Sequence, residues 1–466
     1  MPQIDVVIVG AGIAGLATAY ELSRLGVSFV VLERTPRAGG VIFSEQIDGF
    51  TIDAGPDSLL IQKPDGIKLC QEIGLGDRLV PTKPPRIAYI QRGARLHPLP
   101  AASVLGIPTR VGPFVRTRLF SWPGKVRMGA ELFVPPRRED GDESIASFMT
   151  RRFGSEATEY LAEPLLAGIH AGDVDRLSMR ALFPSFVEAE RTHGSLLRAF
   201  RRRGSVQRSS EGAFKSLPGG LSEMIGALVR TIGEQHIRTG VVVRTVGEQS
   251  ADRTGDRQSY AFRVETANGE IFDARAVVIA TPAYATAAIV RGRDGELASW
   301  CAEIRYSSTA TVALAFRRED VGHPLDGSGF VVPRAERSPI LAASWLSSKW
   351  PNRSPADHVL LRAFFGGTRD PEALNLSDPD LIRKSLDALR PLLQITGRPT
   401  LTRVYRWERA NAQHDVGHRD RVAAIDAALA RHPGLFLTGS AFRGTGIPDC
   451  VADGRATGRA VKAWLQ

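Results

Sequence analysis

The sequence predicts a chain of mixed class. We expect an α/β domain with a Rossmann-like parallel sheet assembled from separated segments, an α+β domain with a mixed sheet, and an inserted helical domain. Three observations lead to this prediction: a glycine-rich strand and helix open the chain, a second such pair closes it, and 466 residues are too many for one hydrophobic core. The two terminal motifs are therefore assigned to one domain.

The first motif is a dinucleotide-binding fingerprint. An apolar run at 6–9 predicts a buried parallel strand, GAGIAG follows at 10–15, and a helix is predicted over 13–25. In this spacing the first glycine allows a tight turn, the second admits a pyrophosphate, and the third lets helix and strand pack closely. A strand at 27–32 then delivers an acidic residue suited to ribose hydroxyls. The candidate cofactor-binding residues here are Gly10, Ala11, Gly12, Ile13, Ala14, Gly15 and Glu33.

The residues that follow favour FAD over a nicotinamide dinucleotide. In ERTPRAGG at 33–40, Arg37 is suited to a phosphate and the paired glycines let the chain pass close to a cofactor. This string resembles flavin enzymes of the amine-oxidase type. A hairpin turning at Asp48-Gly49 then ends in a Gly-Pro-Asp-Ser loop, which is either a flavin contact or an ordinary β-turn. The candidates added here are Arg34, Arg37, Gly39, Gly40, Gly55, Pro56, Asp57 and Ser58.

The closing motif repeats the arrangement of a strand, glycines and a helix. A strand is predicted at 435–438, a glycine-rich loop at 444–446, and a helix that begins near 447 or 449. The start of a helix aimed at a flavin ring would stabilise negative charge on the reduced ring. Cys450 is interpreted as a small buried residue of this helix. The candidate cofactor contacts are Gly439, Thr445, Gly446 and Ile447.

Composition narrows the possible partners and compartment. The net charge of +10 suits nucleic acid, anionic lipid or a polyanionic substrate. Arginines concentrate at 110–138 and 198–208, but without a nucleic-acid motif or interleaved aromatic residues, so nucleic acid is not expected. Three distant cysteines without a C-x-x-C pair indicate neither a disulfide framework nor a metal site. We expect a cytoplasmic protein, because the N-terminus lacks the basic region of a signal peptide and no segment is suited to span a bilayer.

The middle of the chain contains a helical segment, an α/β segment and an α+β segment in turn. Helices are predicted at 144–153, 155–166 and 178–202, on a basic and apolar segment that is either a solvated face or a membrane contact. A strand at 241–243 and a type I′ hairpin at Asn268-Gly269 mark the return to the α/β pattern. Further strands at 309–316, 329–332, 340–345 and 358–365 and a helix at 378–394 predict a second domain. The resulting assignment is an FAD-binding domain of residues 1–78, 212–300 and 406–466, a substrate-binding domain of 79–100 and 301–405, and a helical domain of 101–211.

Over nearly the whole chain these strings resemble the FAD-dependent, oxygen-dependent porphyrinogen oxidases of haem synthesis. The matching strings are GAGIAG, ERTPRAGG, DGFTIDAGPDSLL, GIHAGDVDRLS, TRVYRWERANAQHDVGH and TGSAFRGTGIPDC. The resemblance implies oxidation of coproporphyrinogen III or protoporphyrinogen IX in three two-electron hydride transfers to flavin, with oxygen reduced to hydrogen peroxide each time. Flavin N5 performs this chemistry, so no catalytic side chain is assigned.

The resemblance also implies residue roles and partners. Val243 and Trp407 would line the FAD site, Arg86 would face a substrate propionate, and Gly168 and Phe330 would contact the substrate. It implies a helical insertion that is peripheral to the membrane, and it allows a homodimer and a hand-over of product to a ferrochelatase.

Two departures from the family pattern bear on the substrate. His170 stands where the family usually has an aromatic residue, and Ser328 stands where protoporphyrinogen enzymes often carry a phenylalanine between glycines. Together with GTGIPDC, the GSGFVV string favours the coproporphyrinogen branch, whose four propionates suit a basic protein. The alternatives are an enzyme resembling a flavin amine oxidase or a carotenoid desaturase, and a non-catalytic carrier of a tetrapyrrole or lipid.

Overall fold

The computed structural model describes residues 4–100, 103–104, 107–108, 111–139, 141–202, 211–248 and 262–466. Parts of both predicted arginine-rich stretches, at 110 and 203–208, lie outside the described residues. The described chain forms two seven-stranded sheets, smaller sheets and many helices. The mixed class predicted from sequence is confirmed at this level.

The strands are numbered in the order of the chain. They are β1 (Ile4–Val9), β2 (Phe29–Glu33), β3 (Ser44–Ile47), β4 (Phe50–Asp53), β5 (Leu59–Leu60), β6 (Val80–Pro81), β7 (Ala88–Arg92), β8 (Arg95–Pro98), β9 (Ser103–Val104), β10 (Ile107–Pro108), β11 (Phe214–Ser216), β12 (Ile237–Thr239), β13 (Val243–Glu248), β14 (Phe262–Thr266), β15 (Ile271–Ile279), β16 (Tyr306–Arg317), β17 (Gly329–Val331), β18 (Ala342–Trp345), β19 (His358–Gly366), β20 (Leu401–Ala412) and β21 (Leu435–Leu437).

The α-helices follow the same order. They are α1 (Ile13–Arg24), α2 (Asp65–Glu72), α3 (Val111–Arg116), α4 (Trp122–Gly129), α5 (Ile145–Phe153), α6 (Ser155–Ala157), α7 (Gly168–His170), α8 (Met179–Leu182), α9 (Pro184–His193), α10 (Leu196–Arg202), α11 (Ser222–Ile232), α12 (Ala283–Val290), α13 (Gly295–Ala302), α14 (Leu346–Lys349), α15 (Asp378–Leu393), α16 (His418–Leu429) and α17 (Ile447–Leu465).

The first sheet brings both ends of the chain together. Its order is β12-β2-β1-β15-β14-β13, and β21 pairs with β15. The strands β2, β1, β15 and β21 are parallel neighbours, with Val9 opposite Leu32 and Ile279. The helices α1 and α17 also pack closely. A Cβ on Gly454 of α17 would lie only 2.3 Å from the Ala14 carbonyl oxygen of α1, so this contact requires glycine. The two glycine-rich motifs thus share one sheet.

The second sheet is mixed, in the order β20-β16-β19-β18-β17-β7-β8. Only β17 and β7 pair in parallel among its described strands. The predicted boundary at 405/406 falls inside β20, which pairs along β16. On one face of this sheet, Val312 and Leu314 of β16 belong to a hydrophobic cluster that includes residues of α15. On the other face, the Thr311 hydroxyl donates to the Ala54 carbonyl 3.0 Å away. One face of this sheet therefore meets the loop after β4.

The helical segment departs from its predicted elements. The continuous helix predicted at 178–202 is wrong, because Pro184 starts a new helix and Gly194, at φ +67°, ends it. The helix predicted at 155–166 begins as α6 and continues as a π-helix, Thr158–Ala167, that contains Pro164. Within the described ranges, no helix has the length and apolar character needed to cross a bilayer.

Two local predictions in the α/β part are also wrong. The strand predicted at 241–243 is replaced by β12 and β13, which lie on opposite edges of the first sheet. The turn at Asn268-Gly269 is not type I′, because only Gly269 has a positive φ, of +84°. The Gly269 amide donates to the Thr266 carbonyl at 3.2 Å. This is a type I turn followed by a glycine in the left-handed region.

Candidate functional site

The three glycines of the first motif are required for three different reasons. Gly10 has φ +104°, which favours glycine. A Cβ on Gly15 would lie 2.0 Å from the Gly10 carbonyl oxygen, so this position permits the close contact of helix and strand. A Cβ on Gly12 would meet no atom within 4 Å. The open space before Gly12 and the start of α1 suits a pyrophosphate.

Glu33 lies at the carboxyl end of β2 and is held in place by the first motif. Its Oε2 accepts the Ala11 amide at 2.8 Å, and its Oε1 accepts the Thr35 amide at 2.9 Å and the Thr35 hydroxyl at 2.7 Å. The Val241 amide donates to the Glu33 carbonyl at 2.8 Å, and Val243 begins β13 two residues further on. The predicted ribose-binding carboxylate is thus held in a fixed position at the edge of the first motif.

Arg37 is directed towards its own loop. Its guanidinium donates to the carbonyls of Ala38, Gly40 and Ile42, at 2.7–3.3 Å. The Gly39 amide donates to the Ala11 carbonyl at 2.8 Å, so this loop lies against the first motif. The structure thus shows Arg37 shaping the loop of the paired glycines, while the neighbouring Arg34 is exposed.

The loop at 55–58 is held by the second sheet. The indole N–H of Trp407 donates to the Ala54 carbonyl at 3.0 Å, and Arg362 donates to the Gly55 carbonyl at 2.7 Å. The carboxylate of Asp57 accepts from Lys349 at 2.7 Å and from Arg362 at 2.9 Å. Burial raises the pKa of Asp57, but these two cations outweigh it and hold the pKa well below its usual range.

The same loop also depends on a glycine and on further polar contacts. A Cβ on Gly55 would lie 2.0 Å from the Val41 carbonyl oxygen, so this loop touches the backbone of the segment between β2 and β3. The Lys349 ammonium donates to the Ser58 hydroxyl at 3.1 Å. Pro56 lies between these contacts. Three elements from a distant part of the sequence, α14, β19 and β20, therefore fix this loop.

The closing motif leaves a second open space. Gly439 has φ +126°, and a Cβ there would meet no atom within 4 Å. The Asp453 carboxylate accepts the Thr438 hydroxyl at 2.6 Å and the Gly439 amide at 3.2 Å, which fixes the turn. Gly446 is the N-cap of α17. There are thus two open spaces, one at Gly12 near the start of the chain and one at Gly439 near its end. Together they suit a large ligand that lies against the backbone of both motifs.

Cys450 lies in the first turn of α17. Its side chain is buried, and its thiol approaches the Gly444 carbonyl at 3.8 Å. Burial raises the pKa of the thiol to about 12, so it is protonated at neutral pH. The structure supports the prediction of a small buried residue.

His170 lies opposite the closing loop. Its Nδ1 is 3.5 Å from the Thr445 hydroxyl, and its carbonyl accepts the Gln413 amide at 3.0 Å. Burial and the nearby ammonium of Lys63 lower the pKa of His170 to about 4. The ring is therefore neutral at neutral pH and carries no charge towards the site.

The three predicted substrate contacts are placed differently. Gly168 lines a cleft between the π-helix and the second sheet. Arg86 is exposed, and its Nε lies 3.0 Å from both the carbonyl and the hydroxyl of Thr82. Phe330 is 2% exposed and packs in the cluster with Tyr89 and Trp345 that includes α15. The structure therefore does not bring the Phe330 side chain to the same cleft as Gly168.

Sequence reasoning missed Arg362 and Lys349. Arg362 interrupts the otherwise apolar strand VLLRAFF at a buried position, which is a signal that it has a buried partner. Lys349 ends a short helix and carries no comparable signal.

Comparison with known proteins identifies the class. The chain matches the sequence model of the flavin containing amine oxidoreductases over residues 13–462 and belongs to that family. The flavin cofactor predicted from sequence, FAD, is thereby confirmed.

Within this family, the chain is similar to several porphyrinogen oxidases. The chain is 34% identical over 464 residues to a coproporphyrinogen III oxidase of Bacillus subtilis (strain 168), covering 97% of this chain and 96% of that protein. It is 33% identical to the coproporphyrinogen III oxidase of Staphylococcus aureus (strain NCTC 8325 / PS 47), covering 99% of each. A solved putative protoporphyrinogen oxidase from Exiguobacterium sp. 255-15 matches with a TM-score of 0.86 and 31% identity over 99% of each chain. The predicted resemblance to porphyrinogen oxidases is confirmed.

Proposed function

We propose that this chain oxidises coproporphyrinogen III to coproporphyrin III in haem synthesis. The observation that carries the proposal is its near full-length similarity to two coproporphyrinogen III oxidases. The chemistry that bound FAD supplies is removal of a hydride from a methylene bridge beside a pyrrole and return of two electrons to oxygen as peroxide, and three such rounds remove the six hydrogens.

In this proposal the protein binds and orients rather than transferring protons. The gaps before Gly12 and Gly439 admit the cofactor, and Glu33 holds its ribose. Asp57, fixed by two cations, holds the loop that borders the flavin. The start of α17 stabilises negative charge on the ring. Placement of the reacting carbon is then the main requirement of the site.

The proposal includes the division of the chain made from sequence. The flavin-binding part is 1–78, 212–300 and 406–466, with β20 shared by the second sheet. The substrate-binding part is 79–100 and 301–405, and the helical part is 101–211. A homodimer and a hand-over of porphyrin to a ferrochelatase stay predictions, which light scattering and coupled turnover with an added ferrochelatase would test.

Turnover by the purified holoprotein tests the function. Porphyrin fluorescence should rise faster with coproporphyrinogen III than with protoporphyrinogen IX, with one peroxide released for each two-electron step. Faster turnover of protoporphyrinogen IX would move the assignment to the other branch. Peroxide released only with amines, or a protein that purifies without flavin, would overturn it.

Arg86 is proposed to orient a substrate propionate. Its Nε donates towards Thr82, and the residue is exposed. We expect Arg86→Ala to raise the KM for coproporphyrinogen III about tenfold, the equivalent of one charge-assisted hydrogen bond, and to lower kcat much less. Steady-state kinetics measure both constants. Arg95→Ala, at an exposed arginine of the next hairpin, is the control. An equal loss in kcat with unchanged KM would contradict this role.

We also propose that the helical part contacts anionic membranes peripherally. Trp122, Val126 and Phe133 are 65%, 70% and 83% exposed; the first two are one turn apart in α4, and Phe133 ends the 3-10 helix that follows α4. Exposed cations lie close to them in sequence, at Arg116, Arg118 and Arg138. Apolar side chains flanked by cations favour an interface with anionic lipid.

Vesicle binding checks this contact. We expect the double variant Trp122→Ser, Phe133→Ser to lower partition onto phosphatidylglycerol vesicles about tenfold, while turnover of soluble substrate stays unchanged. Sedimentation with vesicles measures the bound fraction, and phosphatidylcholine vesicles show the charge dependence. Ile271→Ser, at an exposed apolar residue of β15, is the matched control. Equal binding by the wild type and the double variant would refute the contact.

A further inference from the structure

Two buried histidines form a stacked pair next to the closing loop. The ring centroids of His414 and His418 are 3.8 Å apart, with 10° between the ring planes. The two residues are 3% and 2% exposed. They lie where the chain leaves β20 and begins α16. Neither ring has a part in the cofactor and substrate contacts assigned so far.

Each ring contacts one backbone carbonyl of the loop that follows β21. His414 Nε2 is 3.0 Å from the Ser440 carbonyl oxygen, and His418 Nε2 is 3.1 Å from the Phe442 carbonyl oxygen. A carbonyl oxygen only accepts, so each Nε2 must carry the proton. The two rings thus donate in parallel to carbonyls two residues apart, directly after Gly439.

The rings are neutral when they make these contacts. Burial lowers the pKa of His414 to about 3, and the neighbouring rings of His418 and His170 act in the same direction. Burial also lowers the pKa of His418; Arg421 acts in the same direction, while the Phe442 carbonyl and the carboxylates of Asp415 and Asp142 oppose it. A neutral imidazole with Nε2 protonated is therefore the form that holds each carbonyl.

The segment that carries the histidines is fixed from the other side by the helical part. The His414 carbonyl accepts the Ser178 amide at 2.8 Å, and the Val416 amide donates to the Arg176 carbonyl at 2.8 Å. The Asp142 carboxylate accepts both the Gly417 amide, at 3.0 Å, and the Ser178 hydroxyl, at 2.9 Å. The rings are thus held by contacts outside the loop, and the loop takes its position from them.

We propose that His414 and His418 are positioning residues for the flavin. By holding the carbonyls of Ser440 and Phe442, they set the path of the loop between the open space at Gly439 and the start of α17. If the loop shifts, the protein groups that border the flavin shift with it. This role concerns cofactor binding and does not depend on which substrate the enzyme takes.

Matched substitutions separate the donor from the ring. His418→Gln keeps an N–H donor at similar reach, whereas His418→Phe keeps a ring and removes the donor; the same two changes are made at His414. We expect each phenylalanine variant to raise the Kd of FAD for the apoprotein about tenfold and to shift the visible flavin spectrum. The glutamine variants should stay within about twofold of the wild-type Kd and keep its spectrum. Titration with FAD and absorbance spectra give both readouts without any porphyrinogen.

His323→Phe is the control for a general loss of stability. His323 is half-buried beside Tyr89 and Trp345, in the second sheet, and its ring accepts the Leu325 amide at 3.0 Å. The His323→Phe variant should lower the melting temperature without changing the visible spectrum of bound FAD. Phenylalanine variants with the wild-type Kd and spectrum would overturn the proposal. If those variants do not fold, the glutamine variants decide: a wild-type Kd supports the donor role, and a raised Kd with unchanged melting overturns it.

Discussion

Alanine at position 12 is expected to leave the apoprotein folded and to weaken FAD binding strongly. The added Cβ would meet no protein atom within 4 Å, and φ at Gly12 is −68°, which alanine adopts readily. The methyl group would instead occupy space that the cofactor needs. Overpacking of about 1–3 kcal/mol corresponds to a rise in the Kd of FAD of about five- to a hundred-and-fiftyfold. Titration of the apoprotein with FAD measures this change.

Gly15→Ala is the matched comparison, because the same methyl group is added three residues further on. Its Cβ would lie 2.0 Å from the Gly10 carbonyl oxygen, so α1 has to move away from β1. We expect this variant to melt at a lower temperature even without FAD, whereas Gly12→Ala should melt as the wild type does. Wild-type FAD affinity in Gly12→Ala, or wild-type melting in Gly15→Ala, would contradict the separate roles given to the two glycines.

The terminal motifs could be predicted from sequence because their physics is local. A buried strand, glycines at fixed spacing and a helix occupy consecutive residues, and β1 with α1, and β21 with α17, lie close to where they were expected. The hairpin at Asp48-Gly49 was predictable for the same reason, since both residues take positive φ. A motif formed by consecutive residues can therefore be predicted from the sequence alone.

The sequence could not decide whether Phe330 lines a pocket or packs in the core. Both faces of the second sheet are covered, so alternation of apolar residues along β17 does not reveal which face looks towards the cofactor. Phe330 packs in the cluster that includes α15, and only the assembled sheet shows this. The salt bridges from Lys349 and Arg362 to Asp57 could not be predicted for a related reason, because the partners are about three hundred residues apart in sequence.

The unbroken helix predicted at 178–202 failed for a local reason. Pro184 and Gly194 are helix breakers that are visible in the sequence, and the predicted helix ran through both. The histidine pair is different again. QHDVGH places two histidines four residues apart, but their stacking and their carbonyl partners depend on how β20, α16 and the closing loop meet.

Loss of the Asp57 charge is expected to be the most destabilising single change at the site. Asp57→Asn keeps the shape of the side chain but leaves Lys349 and Arg362, which are 14% and 3% exposed at their side chains, without this carboxylate. Removing one partner of a buried ion pair costs about 3–5 kcal/mol. We expect urea unfolding of the apoprotein at pH 7 to show a loss of that size, together with weaker FAD binding because the loop at 55–58 loosens.

An exposed pair provides the control and the pH dependence provides a second check. Asp380→Asn removes one partner of Arg383 from an exposed pair, and should change the free energy of unfolding far less than Asp57→Asn does. The pKa of Asp57 is lowered by folding, so its charge stabilises the protein above the unfolded pKa of about 3.9 and that stability is lost as the pH falls through the folded value. The difference between wild type and Asp57→Asn should therefore stay constant from about pH 8 to pH 5 and narrow only in stronger acid. A difference no larger than that of Asp380→Asn at pH 7 would show that the two cations are satisfied without Asp57, and that the loop is held by its backbone contacts to Arg362 and Trp407 alone.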